Sequence, residues 1–341
     1  MSHIVSVPLL PRARLRDVLR GDAQLVGSRC DERAPRGLVS PIEARVHMGI
    51  PYGDLAVEER RYLEQRTTGA DAGVVLRALV ASLCAPNGDT ASPRRPKIVS
   101  ARVDNITIDE AIDAILAPPS GAHAKMVHFV HPHALNLAAF DRGFAGLLSE
   151  ADLVLPDGIG LRVAARMMGI ALQHNLNGTD LLPLLCRAAS ERSVPLVFIG
   201  GADGVAAECA SKLEAVTPGI HIPIAHTGYL SDSAAVEVVG RVRALAAEGP
   251  VVVMVGMGSP MQERWSWSRL RDIRGATVIT VGGLFDFYSE RIPRAPIAWR
   301  ELGLEWLYRI RQEPRRLAKR YVLGNPLFLA LALAQRIRSA P

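Results

Sequence analysis

The sequence predicts an α/β fold: a doubly wound, mostly parallel, Rossmann-like sheet with a basic helical C-terminal appendage and a small N-terminal extension. Three observations lead there. Between Lys97 and about Val281, β-like apolar runs alternate with helix-period segments. Ahead of Lys97, the run Ala85-Pro86-Asn87-Gly88-Asp89 to Pro93-Arg94-Arg95-Pro96 is dense in proline and glycine, which marks a boundary. From Arg291 onward the pattern turns aromatic and basic. The expected domains are therefore an extension over 1–92, a core over 93–290 and an appendage over 291–341.

The expected strands, in order, are Lys125–Val130, Leu153–Leu155, Pro195–Ile199, Val251–Val255 and Thr277–Val281. Helix-period segments fall among them at Asp180–Arg192, Gly204–Ala215 and Ser233–Ala247. Thr107 and Glu110 have capping-box spacing ahead of a short apolar helix. In the appendage, Arg300, Arg309, Arg311, Arg315, Arg316, Lys319 and Arg320 interleave with Trp299, Trp306, Leu307, Tyr308, Leu317 and Tyr321. Such a segment lies on an anionic membrane surface, closes over an anionic ligand, or is simply a solvated charged face.

Composition sets bounds. With 49% hydrophobic and 22% charged residues, the 341-residue chain can build a sizeable core, which excludes disorder throughout. The formal charge of +6 is too weak to argue for a nucleic-acid partner. Cys30, Cys84, Cys186 and Cys209 form no CxxC pair, so reduced structural thiols in a cytoplasmic protein are expected. Arg12, Arg14, Arg16 and Arg20 interrupt the early apolar run, so no export signal is read. The late apolar run Leu327–Ala334 is far short of the roughly 20 residues that span a bilayer, which leaves peripheral membrane contact.

Candidate chemistry sits at the expected strand ends. Pro156-Asp157-Gly158-Ile159-Gly160 places a carboxylate where doubly wound sheets bind ligands, and Asp157 is either a general base or a turn and N-cap aspartate. Gly256-Met257-Gly258-Ser259-Pro260-Met261-Gln262-Glu263 either lets a backbone approach a phosphate or makes a tight turn. The same two readings apply to Gly200-Gly201-Ala202-Asp203-Gly204. His128, His131 and His133 cluster, but no Cys or carboxylate stands at ligand spacing, so ordinary hydrogen-bonded histidines are expected and metal is not. The core has no Asp-x-Asp to hold a divalent ion under a nucleotide diphosphate. If a nucleotide sugar is the substrate, cationic side chains must balance the leaving diphosphate, and the C-terminal arginines can supply them. A dinucleotide fingerprint is also missing, which counts against an oxidoreductase.

Taken in order, these pieces resemble the WecG/TagA/CpsF glycosyltransferases. The matching motifs are Leu155-Pro156-Asp157-Gly158-Ile159-Gly160, Asn177-Gly178-Thr179-Asp180-Leu181, Gly256-x-Gly258-x-Pro260-x-Gln262-Glu263 and Val281-Gly282-Gly283-Leu284-Phe285-Asp286-Phe287. The last is Arg294-Ala295-Pro296 through Gly303-Leu304-Glu305-Trp306 to Arg309 and Glu313-Pro314-Arg315-Arg316. Together they cover about residues 98 to 325. The resemblance implies an inverting, metal-independent transfer from a UDP-sugar to a polyprenyl-diphosphate-linked saccharide in surface-polysaccharide synthesis, without a cofactor. It places the enzyme peripherally on the cytoplasmic face of the membrane, held there by the appendage, and a homo-oligomer is among its expectations. Asp157 matches the general base. Gln262 and Asp286 match pocket positions, with Asn177, Thr179, Gly256 and Gly258 in the same motifs. Arg309, Arg316 and Lys319 match basic positions that close over the diphosphate.

Two stretches depart from the family pattern. Phe129-Val130-His131 stands where Thr-x-Asn is common, with His131 in place of the Asn as a substrate-binding group or as a structural one. Asn175-Leu176-Asn177-Gly178 replaces Arg-Val-x-Gly and removes one expected cation near the sugar pocket. The extension is similar instead to the C-terminal part of bacterial polyprenyl-phosphate sugar-1-phosphate transferases, in Leu15 to Arg29 and in residues 54 to 80 with Tyr62-Leu63-Glu64 and an Asp71-containing helix. The upstream catalytic Asp-Glu pair of those enzymes is missing, so no phosphoglycosyl transfer is expected. The alternative to catalysis is a scaffold that binds the lipid-linked sugar without turning it over.

Overall fold

The computed structural model describes residues 12–28, 34–48, 50, 54–84 and 92–339. The expected linker residues 85–91 and Cys30 lie outside them. The chain divides into two compact units. One comprises residues up to Ser92, Arg162–Asn175 and Ala295–Leu323; the other comprises Pro93–Leu161, Leu176–Arg294 and the C-terminal residues from Gly324.

The first unit begins with α1 (Arg12–Arg20), β1 (Gln24–Val26), β2 (Gly37–Val39), α2 (Glu43–Met48), α3 (Leu55–Glu64) and α4 (Thr68–Cys84). β1 and β2 pair in parallel, and Val26, Leu38, Val39, Val74 and Ala78 form a small core beneath them. Buried Glu59 accepts from Ser28 Oγ at 2.6 Å and from Ser40 Oγ at 2.5 Å, so its charge is hydrogen-bonded rather than abandoned. Tyr62 Oη donates to Asp71 Oδ1 at 3.2 Å, and burial followed by the Asp71 charge pushes the Tyr62 phenol up to about 12.

The second unit opens with the hairpin β3 (Lys97–Ile98) and β4 (Ala101–Arg102), then α5 (Ile108–Leu116). Thr107 and Glu110 close the expected capping box at the start of α5. There follow β5 (Lys125–Val130), α6 (Pro132–Phe140), α7 (Arg142–Glu150), β6 (Leu153–Pro156), α8 (Ile159–Met167), whose later part belongs to the first unit, and α9 (Gly178–Glu191). Next come β7 (Leu196–Gly200), α10 (Val205–Val216), β8 (Ile224–His226), α11 (Asp232–Glu248), β9 (Val251–Gly256), α12 (Met261–Leu270), β10 (Ala276–Thr280) and α13 (Leu284–Tyr288). Strands β5 to β10 form a six-stranded parallel sheet in the order β6-β5-β10-β9-β7-β8.

Both faces of this sheet are covered, as the period-two alternation along β9 shows. Val252 and Met254 join the core with Phe198, Leu185 and Phe285, whereas Val251, Val253 and Val255 join the one with Met126, Val242 and Leu270. Cys186 and Cys209 are free and buried, and burial pushes both thiols up to about 12, so they behave as apolar packing.

The C-terminal part contains α14 (Ile297–Glu301), α15 (Glu305–Gln312), α16 (Pro314–Ala318), a π-helical turn at Lys319–Leu323, and α17 (Gly324–Ser339), which packs on α6. The apolar run expected from sequence is only part of a longer element. Leu327–Ala334 is embedded in a continuous helical stretch, Pro314–Ser339, of 26 residues, long and apolar enough to cross a membrane by length and composition. Phe328 and Ala332 of that stretch are buried.

Candidate active site at the carboxyl edge of the sheet

The connections after β5 and β10 leave toward opposite faces. Helix α6, after β5, packs with α7, which in turn contacts α12; helix α13, after β10, packs with α9 and α10. Such a reversal between neighbouring parallel strands opens a crevice at their carboxyl ends.

Asp157 sits at that edge. Its N–H donates to Val130 O at 2.8 Å, which fastens the turn after β6 to the end of β5. Gly158 adopts φ +92°, a left-handed conformation that glycine takes without strain, and it turns the chain into α8. Gly160 lets that turn press on α6, because a Cβ there would meet Pro132 Cγ at 2.7 Å. Asp157 is half-buried. His131 follows β5 directly, and its Nδ1 accepts the Ala134 N–H at 3.0 Å as the N-cap of α6. Capping is also open to an asparagine, so the departure from Thr-x-Asn keeps a capping side chain.

The second motif is drawn to the same edge. Leu176 N–H donates to Pro156 O at 3.0 Å, and Asn177 Oδ1 then caps α9 by accepting the Thr179 N–H at 2.8 Å. Thr179 offers its carbonyl to Tyr288 Oη at 2.6 Å, which joins α9 to α13. Asp286 lies half-buried in the first turn of α13.

Gln262 ties the two glycine loops together. Its Oε1 accepts Gly258 N–H at 3.2 Å and Gly282 N–H at 2.9 Å, and its Nε2 donates to Glu263 Oε1 at 2.8 Å and Ser259 Oγ at 3.3 Å. The side chain is buried. The Gly258 amide is thus engaged by the protein itself. Gly256 has a packing role, because a Cβ would lie 2.7 Å from Gly282 O and 3.0 Å from the Phe285 ring.

Beneath the loops runs a polar seam. His128 is buried on β5 with Nδ1 3.0 Å from Thr280 Oγ1, and burial lowers its pKa to about 4. Burial raises the pKa of Glu263, opposed by hydrogen bonds from Gln262, Ser259 and Thr280. His131 and His133 stack at 6.0 Å, while His128 serves the seam, so the three do not converge. Among the described residues no group of three His, Cys, Asp or Glu is placed to hold a metal ion.

Sequence reasoning did not single out several of these groups. Asp180 Oδ1 pairs with Arg294 Nη2 at 2.7 Å and bridges the second and last motifs. Both lie within the quoted motifs, and their opposite charges are the signal that could have paired them. The remaining expected residues belong to the first unit: Arg309 on α15, Arg316 on α16, where it pairs with Glu313, and Lys319 on the π-helical turn.

Comparison with known proteins agrees with the ordered motifs. The sequence profile of the glycosyl transferase WecG/TagA/CpsF family matches residues 96–341. The N-acetylglucosaminyldiphosphoundecaprenol N-acetyl-beta-D-mannosaminyltransferase of Bacillus spizizenii (strain ATCC 23059 / NRRL B-14472 / W23) is 32% identical over 197 residues, covering 58% of this chain and 74% of that protein. With the profile spanning most of its length, the chain belongs to the WecG/TagA/CpsF family and is a glycosyltransferase.

Proposed function

We propose that this glycosyltransferase moves a sugar from a UDP-sugar to a polyprenyl-diphosphate-linked saccharide, inverting the anomeric centre without a bound metal. The name of the Bacillus relative favours an N-acetylglucosaminyl-diphospho-undecaprenol acceptor. Asp157 takes the proton of the acceptor hydroxyl as that oxygen bonds to the anomeric carbon. The bond from that carbon to the UDP phosphate oxygen breaks, and its electron pair leaves with UDP. Arg309, Arg316 and Lys319 offset the charge that gathers there. Asn177, Thr179, His131 and Asp286 line the sugar side, while Gly256, Gly258 and Gln262 shape it. The domain reading is an extension over 1–92, a catalytic core over 93–290 and an appendage over 291–341 that rests on the inner face of the membrane.

One observation carries the catalytic assignment. Asp157 is a strand-end carboxylate whose backbone is fixed by Val130 O and whose turn is pressed on Pro132 by Gly160. A base held in this way loses little freedom when it meets an alcohol. The test is a panel of UDP-sugars with a lipid-diphosphate glycan. Transfer is expected with the parent chain, and Asp157→Asn should lower turnover by about 100-fold or more. Undiminished turnover in that variant overturns the assignment.

A further inference from the structure

The extension before residue 93 lies outside the region the family profile matches, yet it is bonded to a segment inside it. Glu301, the last residue of α14, is buried. Its Oε1 accepts from Arg45 Nε at 2.7 Å, and its Oε2 pairs with Arg77 Nε at 2.6 Å. Arg45 on α2 also reaches Glu58 Oε2 at 3.0 Å, and Arg77 stands on α4. Helices α2 and α4 both pack on α14, so three segments of one unit meet at a single carboxylate.

The segment C-terminal to α14 is fastened to it. Leu304 N–H donates to Trp299 O at 2.8 Å, and the Trp299 and Tyr308 rings meet edge to face at 5.8 Å. Gly303, at φ +68°, makes the turn between α14 and α15. Helix α15 carries Arg309 and contacts α16, which carries Arg316 and continues into the turn with Lys319. A run of packed helices thus links these cations to α14, whose Glu301 is bonded to Arg45 and Arg77.

We propose that the extension is a working part of the transferase: Arg45 and Arg77, acting through Glu301, are positioning residues for the cationic segment from Arg309 to Lys319. The inference rests on the proposed function, in which those cations offset the charge of UDP. A carboxylate withdrawn from water and shared by two guanidiniums fixes direction as well as charge, because each Nε–H bond is planar and aimed. Removing the carboxylate leaves two arginines without their common acceptor and frees α14 to shift.

The experiment uses the full chain, with UDP as the probe in titration calorimetry and a donor and acceptor KM measured separately. Arg309→Ala and Arg316→Ala come first: if neither weakens UDP binding, the leaving-group reading fails and the positioning role falls with it. If they do weaken it, Glu301→Gln should weaken UDP and raise the donor KM by about tenfold, leaving the acceptor KM unchanged. In a background of Arg309→Ala, Arg316→Ala and Lys319→Ala together, Glu301→Gln should then weaken UDP binding no further, because it acts through those cations. UDP affinity that is unchanged in Glu301→Gln, or effects that simply add, overturns the proposal. Should Glu301→Gln fail to fold, Arg45→Lys with Arg77→Lys carries the same test. Lysine keeps the charge and loses the aimed Nε–H, so a donor KM raised by about threefold or more supports positioning and an unaltered one refutes it.

Discussion

Arg294 Nη2 and Asp180 Oδ1 lie 2.7 Å apart, joining the first turn of α9 to the segment that leaves α13. The two side chains keep 22% and 11% of their exposure, so each charge depends on the other. Arg294→Ala is expected to cost about 2 kcal/mol, below the ~3–5 kcal/mol of a fully buried pair because the guanidinium retains some solvent. Urea unfolding measures this, and an unshifted midpoint contradicts it.

Gly160→Ala should cost about 1–3 kcal/mol, since its Cβ would lie 2.7 Å from Pro132 Cγ in a packed turn. Turnover should fall as well, because the same turn carries Asp157. Gly146→Ala is the control. It lies in α7 with nothing within 4 Å of the added carbon, so it should raise stability by about 0.5–1 kcal/mol. Equal thermal shifts for the two variants would refute the close-approach argument.

His128 gives stability a pH dependence of definite sign. Burial lowers its pKa from 6.5 to about 4, so between those values the unfolded chain binds the extra proton. Its contribution is full above the unfolded value and is lost as pH falls toward 4, by about 3 kcal/mol in all. Glu263 acts oppositely: its raised pKa favours the folded state at low pH and loses that stability as pH rises through the folded value. Urea midpoints of His128→Gln should slope less over this range than those of the parent. Parallel slopes would exclude His128 as the source.

Gln262→Ala removes the acceptor of two loop amides, Gly258 and Gly282. Leaving such groups unpaired costs about 1–3 kcal/mol each where they stay dry. Hydrogen exchange at Gly282 should quicken while exchange on β9 stays slow. Retained protection at Gly282 would show that the loop does not depend on Gln262.

Val322, Leu323, Leu327, Leu333 and Ile337 are exposed along the last helical stretch, which also bears Arg336 and Arg338. Replacing Leu323, Leu327 and Ile337 by Ser should reduce flotation with anionic liposomes, and added salt should reduce flotation of the parent. Equal flotation of both proteins would exclude these residues from membrane contact.

Much of the sheet was readable from local pattern. Five strands fall within a residue or so of their apolar runs, and the capping box at Thr107 follows from spacing alone. Strand β8 escaped because Ile224–His226 is three residues long and comes directly after Pro223, too short for any alternation to register. The site was readable as motifs but not as connections. Gln262 looks like a pocket side chain in a glycine-rich run, yet its oxygen is committed to Gly282 on the far side of β10. Glu301 reads as one more charge in a basic helix, and only tertiary folding supplies Arg45 and Arg77. Sequence spacing reports neighbours along the chain, whereas these bonds are made across it.

Strand β10 pairs with β5 on one side and β9 on the other, although it is the last of the six to be synthesised. While the nascent chain leaves the ribosome, β6-β5 and β9-β7-β8 can form only as separate halves, each with an open apolar edge. The crevice at the carboxyl ends of β5 and β10 comes into being only when that final strand pairs with both neighbours, so neither the full sheet nor the edge that carries Asp157 is complete until about residue 280 has emerged.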